Sequence, residues 1–506
     1  MRNVRRISQI LFLLFFFYLF LIASYPLNFP IPADSFLRAD PLLALSSMMA
    51  VRNVIPTFWI SLILIILTIP LGRVFCGWVC PLGTTLDTTS YVFRNPVGKK
   101  TTNLRFLKYT LLILILVSAV FLSQLVWILD PIVLYTRTLT ISLFPLLTFS
   151  TYSLFGLLFK ISFLQDFLTT LQTHLASTIL PNQLSFFRMS ALILLIFSGI
   201  LGLEFVSRRF WCRNLCPLGA LYSFFSKLQI WRRKVKDGCT NCADCIKVCK
   251  MDAIENDFIN TKFGECIQCY NCVADCPTQV TSLSFRKEPK AYSLNLTRRR
   301  VVVAGILGVL FSGVLKVGFL NKNARAELIR PPGAKEEGEF LKRCIRCHKC
   351  IRVCSTSGNF LQPAILEGGW EGFWTPVGYA RGGYCEYNCT MCTHICPSGA
   401  IHPLDEETKK KTVIGLAYID RNRCLPWYKN QDCVVCEEHC PIPQKAIDLK
   451  PEKVIDSEGK TKIIKRPYVK EDLCIGCGIC ETRCPLQGRS AIIVISQGEQ
   501  RWTDGK

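Results

Sequence analysis

Histidine is scarce in this chain: five residues among 506, with His174 the only one before residue 348. A b-type haem between membrane helices needs paired axial histidines, so the N-terminal half holds no bis-histidine haem. The one C-x-x-C-H, Cys344 to His348, lies inside a C-x2-C-x2-C run, and no c-type haem is expected. There is no Walker loop and no dinucleotide fingerprint, so no nucleotide site is legible. Low-complexity tracts are missing too. Acidic residues are outnumbered, 37 against 60 Lys and Arg, for a net charge of +23. Many of the basic residues sit beside apolar runs. That pattern marks membrane flanks rather than a nucleic-acid groove, and no nucleic-acid partner is expected.

What is abundant is apolar residues, half of the chain, and cysteine, 28 residues. The composition is too apolar for an ordinary soluble protein and too charged for a purely embedded one. It predicts an α-helical membrane domain joined to soluble domains. Residues 8–25, 54–75, 106–129 and 189–206 each suffice to cross a hydrocarbon core of roughly 30 Å. Residues 138–161 are also apolar but carry Thr, Ser and Pro, and are expected to lie along the membrane surface. A further run, 301–320, follows TRRR and forms a fifth, linking span.

Lys/Arg bias sets the orientation. Arg2, Arg5 and Arg6 precede the first span. Arg94, Lys99, Lys100 and Arg105 lie between the second and third. Arg208, Arg209, Arg213, Arg232, Arg233 and Lys234 follow the fourth. The N-terminus and the segment after 207 are therefore expected in the cytoplasm, and residues 327–506 beyond the membrane. TRRRVV also reads as a twin-arginine export signal, and ARA at 324–326 as a peptidase site near Ala326.

The cysteines come in quartets. Residues 239–249 read CTNCADCIKVC, and 266–276 read CIQCYNCVADC, followed by Pro277. This is the bacterial [4Fe–4S] spacing, duplicated: three thiolates clasp one cubane and the fourth reaches the other. The pairing inferred is Cys239, Cys242 and Cys245 with Cys276, and Cys266, Cys269 and Cys272 with Cys249. Zinc quartets usually come as two separated pairs instead. Four more quartets follow: Cys344, Cys347, Cys350, Cys354; Cys385, Cys389, Cys392, Cys396; Cys424, Cys433, Cys436, Cys440; and Cys474, Cys477, Cys480, Cys484. Two of these have a widened first gap, read as inserted loops. Spacing alone does not assign the ligand exchange within this group. Six [4Fe–4S] clusters are expected, two on the cytoplasmic side and four beyond the membrane.

Four cysteines remain: Cys76 and Cys80 in CGWVCPLG, Cys212 and Cys216 in CRNLCPLG. Both stretches sit at the foot of an apolar run. Cysteines four apart share a helix face, so adjacent spans would converge all four thiols at the membrane edge. Three readings stay open: a redox-active thiol site or extra metal centre, a structural role, and a disulfide, which a reducing cytosol disfavours. Glu204, near the end of the fourth span, is a candidate proton acceptor or a solvated interfacial group.

Residues 1–285 resemble the NapH-type membrane ferredoxins: four spans, C-x3-C-P after the second and fourth, then a ferredoxin pair. Residues 297–500 resemble the NapG-type polyferredoxins: a twin-arginine start, IRPPGA at 329–334, then four quartets. The resemblance implies α+β ferredoxin-like domains, a quinol substrate, and electron delivery to a periplasmic nitrate-reductase-like enzyme, a molybdenum protein among the candidates. In that family the two halves are separate subunits; here they look fused. The expected domains are 1–230 (membrane), 231–290 (cytoplasmic two-cluster), 297–326 (signal or span) and 327–506 (periplasmic four-cluster). The rival reading is an electron donor for maturation or repair of a metalloenzyme cofactor, as in related modules. A redox sensor would need an output domain, and none is legible.

Overall fold

Asp40-Pro41 and Asp130-Pro131 each start a helix in the same way. Each aspartate is the N-cap, and each proline occupies the first turn, where its missing N–H costs nothing. Asp40 Oδ1 accepts from the amides of Leu42 and Leu43 at 2.8 and 3.2 Å. Asp130 Oδ1 accepts from Ile132 and Val133 at 2.9 Å each. The computed structural model describes residues 1–26, 31–93, 104–161, 163, 165–178, 181, 184–285, 297–317, 328–455 and 461–503. Arg94, Lys99, Lys100 and the expected cleavage site at Ala326 lie outside the described residues.

The chain divides into two units. The first comprises Met1–Leu21, Ile31–Leu139 and Ser190–Leu315. Its helices are α1 (Arg2–Leu21), α2 (Pro41–Val51), α3 (Trp59–Leu71), α4 (Pro81–Val92), α5 (Phe106–Val120), α6 (Pro131–Leu158, whose first residues belong here), α7 (Ser190–Gly202) and α8 (Pro217–Phe225). One element order therefore occurs twice. A long helix is followed by an Asp-Pro helix, an apolar helix, a loop R-x-x-C-x3-C, and a helix beginning PLG.

Among the described residues, α1 and α6 are long and apolar enough to cross a membrane by length and composition. Pro56–Leu71, Phe106–Val120 and Ser190–Phe205 are apolar but shorter; at 1.5 Å per residue they fall short of roughly 30 Å by themselves. Residues 138–158 of the stretch expected along the surface continue α6 in one 28-residue helix. A π turn at Leu139–Leu143 joins its two segments, and Pro145 falls in the first turn of the second.

After α8, strands β1 (Trp231–Val235) and β2 (Thr281–Phe285) pair antiparallel, from Trp231↔Phe285 to Val235↔Thr281. They frame the two cysteine motifs between them. Helix α9 (Arg298–Val317) closes the unit. It meets α5 through small residues: Ala304 and Ser312 are buried, and a Cβ on Gly308 would come within 3.0 Å of Val117.

The second unit comprises Ile22–Pro30, Thr140–Met189 and Lys316–Lys506. Residues 140–189 thus group with the C-terminal part rather than with 1–230. Arg188 stacks on Tyr379 at 4.3 Å, and Arg352 on Phe144 at 4.0 Å. Two-stranded antiparallel ladders frame the cysteine loops: β3 (Leu361–Pro363) with β4 (Pro376–Gly378), and β5 (Leu416–Ile419) with β8 (Ile492–Ile495). Between them β6 (Ile447–Ile455) and β7 (Thr461–Val469) form a long hairpin. IRPPGA has a structural reason. The buried Arg330 guanidinium donates to Glu337, to Thr375 Oγ1 at 2.8 Å and to the Pro376 carbonyl at 2.9 Å.

Candidate metal centres

Each run C-x2-C-x2-C must turn three thiols toward one point within seven residues. In four of the six quartets a left-handed residue stands on each side of the second cysteine: Asn241 and Ala243, Gln268 and Tyr270, Arg346 and His348, Gly476 and Gly478. Alternating left-handed residues make a nest of backbone N–H groups suited to an anionic ligand. The two quartets with widened first gaps lack this pair.

The structure assigns the ligand exchange that spacing left open. A cavity of about 360 Å³ is lined by Cys344, Cys347, Cys350 and Cys396. Cys392 faces Cys389, Cys385 and Cys354. A cavity of about 400 Å³ gathers Cys424, Cys433, Cys436 and Cys484, and one of about 350 Å³ gathers Cys474, Cys477, Cys480 and Cys440. In the first unit, about 450 Å³ is lined by Cys266, Cys269, Cys272 and Cys249, the pairing inferred from sequence. Cys245 faces Cys239 and Cys242. Their expected partner, Cys276, follows the short helix Asn271–Ala274, which touches Asp244–Lys247. Five of the six motifs thus place their last cysteine in a neighbour's cage.

These cages fit iron–sulfur clusters. The four cavities are walled by four soft sulfurs and largely by apolar side chains, with Arg346 and Lys349 at the Cys344 cage and Arg233 at the Cys249 cage. Among the described residues, no three Cys, His, Asp or Glu stand close enough to hold a single ion. The lent cysteine also receives backbone N–H bonds: Cys249 from Ala253 at 3.3 Å, Cys354 from Phe360 and Leu361 at 3.2 and 3.4 Å, Cys440 from Ala446 at 3.4 Å. Such bonds stabilise thiolate charge and tune potential.

The four remaining cysteines do come together. Cys216 has Cys212, Cys76 and Cys80 as electrostatic neighbours. Cys80 caps α4 and Cys216 caps α8, where Cys216 Sγ accepts from the Gly219 amide at 3.3 Å. Cys76 and Cys212 pack on Met251, Ala253 and Ile267 beside Cys249, Cys266 and Cys269. Gly77 permits this approach, since a Cβ there would stand 2.2 Å from the Ile267 carbonyl oxygen. Trp78 Nε1 donates to the Gln268 carbonyl at 3.1 Å.

Two buried arginines cross between the repeats. Arg209 donates to the carbonyls of Cys76 and Gly83, each at 3.0 Å, and to Asp87. Arg73 donates to Gly264 and Glu265 at 3.2 and 3.1 Å, while its Nη2 lies over Gly219. Burial alone would push the Glu265 carboxyl up; Lys108 and Arg73 outweigh it and bring it down to about 2. Glu204 is buried and accepts from the Arg209 amide at 2.9 Å and from Ser90. It therefore holds the loop that carries Arg209.

Sequence reasoning missed one site. The carboxyls of Asp40 and Asp130 are fully buried and hydrogen-bond to each other. Burial raises both carboxyls, and the neighbouring Asp130 raises Asp40 further, which favours a proton held by the pair. The buried Tyr222 is an electrostatic neighbour of both and of Cys76 and Cys80. The repeated Asp-Pro dipeptide was the available signal.

Comparison with known proteins places these cages. Residues 54–100 and 189–236 match a family described as a 4Fe-4S binding domain, 259–355 a 4Fe-4S dicluster domain, and 467–487 a 4Fe-4S binding domain. The methylamine utilization ferredoxin-type protein MauM of Methylobacillus flagellatus is 31% identical over 215 residues, 41% of this chain and 83% of that protein. The chain belongs to the MauM/NapG family of ferredoxin-type proteins. MauM of Methylorubrum extorquens is 33% identical over 210 residues, 39% of this chain and 89% of its own length. The ferredoxin-type protein NapG of Escherichia coli is 34% identical over 198 residues, 38% and 82% respectively. No solved structure matches. As a MauM/NapG-type ferredoxin the chain carries multiple [4Fe–4S] clusters and transfers electrons.

Proposed function

We propose that this chain is a membrane-bound iron–sulfur conductor taking electrons from the quinol pool and delivering them to a periplasmic reductase of the nitrate-reductase type. The observation that carries the reading is the way cages adjoin within each unit. In the second unit the exchanged cysteines couple the cages in pairs, and Cys385 touches Cys477 between the pairs. In the first, the C-x3-C-P thiols abut the Cys249 cage. Bound [4Fe–4S] clusters, six in this reading, supply one-electron transfer. The chain's own residues ligate them, exclude water and adjust their charge environment.

In this proposal helices α1, α3, α5 and α7, with their flanks, and α9 as a fifth span, sit in the membrane. The N-terminus and first two cages face the cytoplasm, and residues 328–503 the periplasm. Quinol oxidation to quinone releases two electrons and two protons. Asp40 with Asp130, and Glu204, are the buried carboxyls that would receive those protons. A NapH-like half fused to a NapG-like half gives one chain both quinol access and delivery.

Deleting the gene is expected to abolish quinol-dependent reduction of the periplasmic acceptor and to leave its activity with an artificial donor intact. Unchanged quinol-dependent flux would sink the proposal. Loss of artificial-donor activity as well would favour the maturation role, because the partner enzyme would then be incomplete.

A further inference from the structure

The row of cages in the second unit has two unlike ends. At the Cys344 cage, residues 343–349 are all buried. At the Cys424 cage, residues 421–423, 428–429 and 431–432 are exposed. The Cys424 quartet has the widest first gap, and the residues that fill it are clamped to the hairpin β6–β7. Arg466 donates to the Pro426 carbonyl at 3.3 Å, to Asn430 Oδ1 at 3.1 Å and to Glu452 at 2.8 Å, and it stacks on Trp427 at 4.7 Å. Trp427 Nε1 donates to the Pro467 carbonyl at 3.3 Å, and the Tyr468 hydroxyl to Glu452 at 2.7 Å. A two-stranded hairpin is marginal by itself; these bonds make it an extension of the cage wall.

Strand register sorts the hairpin's side chains. Pro451 stands opposite Lys465, Lys453 opposite Ile463, and Ile455 opposite Thr461. With a period of two these six share one face, and all six are exposed. Ile455 is 72% exposed and Ile463 60%. Along both strands this face carries no acidic residue. The ion pairs belong to the other face: Lys462 with Asp432, and Arg466 with Glu452. Among the described residues, Lys453 and Lys465 have no acidic partner. Pro467, two residues beyond Lys465 on the same face, lines the Cys424 cage. Two bare isoleucines therefore stand beside two unpaired lysines, next to the open end of the row. Clustered exposed apolar side chains mark an interaction site, and unpaired charge of one sign selects a partner of the other.

We propose that this face of β6–β7 docks an acidic redox protein, the acceptor of electrons leaving through the Cys424 cage. The inference deepens the proposed function and rests on it for the direction of flow. One electron passes to the partner's one-electron centre, which is reduced as the contents of the cage are oxidised; no bond forms and no proton moves. Electron-transfer encounters use small, charge-steered contacts, and a single ribbon face suits one.

The test uses the full-length protein with two probes: cytochrome c, and the same cytochrome with its lysines succinylated, which reverses the charge around the same haem. Acetylation of lysines is followed by mass spectrometry. Lys453 and Lys465 should be protected by the succinylated form and not by the native one. Lys453→Glu/Lys465→Glu, with iron content unchanged, should slow reduction of the succinylated form by about 10-fold at low salt and flatten its salt dependence. Lys234→Glu/Lys236→Glu makes the same charge change on the first unit and should leave the rate within about twofold. Absence of protection in the wild type overturns the inference and needs no variant to fold. An equal fall in both lysine variants overturns it too, because net charge alone would then explain the rate. Protection by phosphatidylglycerol vesicles but not by the succinylated cytochrome would assign the face to a membrane instead. No protection, with quinol-dependent electron flow intact, leaves the proposed function standing. Protection without that flow does the reverse.

Discussion

The amide of Cys385 donates to the carbonyl oxygen of Cys477 at 2.8 Å. These cysteines are 92 positions apart in sequence and belong to different cages, so the contact joins two dicluster pairs into one row. The order along the row is the Cys344 cage, the Cys389 cage, the Cys474 cage and the Cys424 cage. It differs from sequence order, because the fourth motif, through Cys477, meets Cys385 and the third does not.

The exchange of last cysteines predicts a non-additive pattern of iron loss. Cys344→Ala with Cys396→Ala removes two ligands of one cage, and the double variant should lose about four irons, no more than either single variant. Cys344→Ala with Cys385→Ala strikes two cages and should lose about eight. Iron analysis of the four proteins decides it; about eight irons lost from the first pair would refute the assigned exchange.

The cages were legible in sequence because cluster ligation is local: in four of the six quartets, seven residues and a nest of amides set three of the four ligands. The exchange in the second unit was not, since Cys396 and Cys484 find their cages through the packing of whole loops. For Cys76 and Cys212 the copied motif foretold convergence, but not Arg73 and Arg209 crossing between repeats, which needs tertiary contact. The π turn at Leu139–Leu143 was hidden for a similar reason: a proline and a run of hydroxyl residues read as a break, whereas the helix absorbs them. The carboxyl pair was missed because Asp-Pro alone reads as an ordinary helix start.

Gly77 offers a test of how the C-x3-C-P loop docks on the ferredoxin part. Gly77→Ala puts a Cβ 2.2 Å from the Ile267 backbone oxygen, which neither rotamer change nor a flexible side chain can relieve. The loop must withdraw, at about 1–3 kcal/mol. Faster proteolysis between 231 and 285, with the C-terminal fragment unaffected, is the expected readout. Wild-type resistance would show that the contact is not made.

Arg330 anchors the second unit. Its guanidinium stacks on Phe340 at 4.7 Å while donating to Glu337, Thr375 and Pro376. Arg330→Ala leaves those acceptors unpaired at about 3 kcal/mol, or a fall of roughly 10 °C in the apparent melting temperature of that unit. Loss of the visible iron–sulfur absorbance on heating would report it, and an unchanged midpoint would contradict the buried pairing.

Asp130→Asn separates proton handling from structure. Asparagine keeps the carbonyl oxygen that caps α6 and offers its amide to Asp40, so the helix start survives and the shared proton is lost. If the pair takes protons from quinol, turnover with a quinol analogue should fall by about 10²-fold or more, the scale of a lost general base. Dithionite reduction of the clusters should be unchanged, because it bypasses the quinol step. Equal losses in both assays would mean that the substitution damaged the cages themselves. Unchanged quinol turnover would remove the Asp40–Asp130 pair from the reaction and leave Glu204 as the carboxyl to test next.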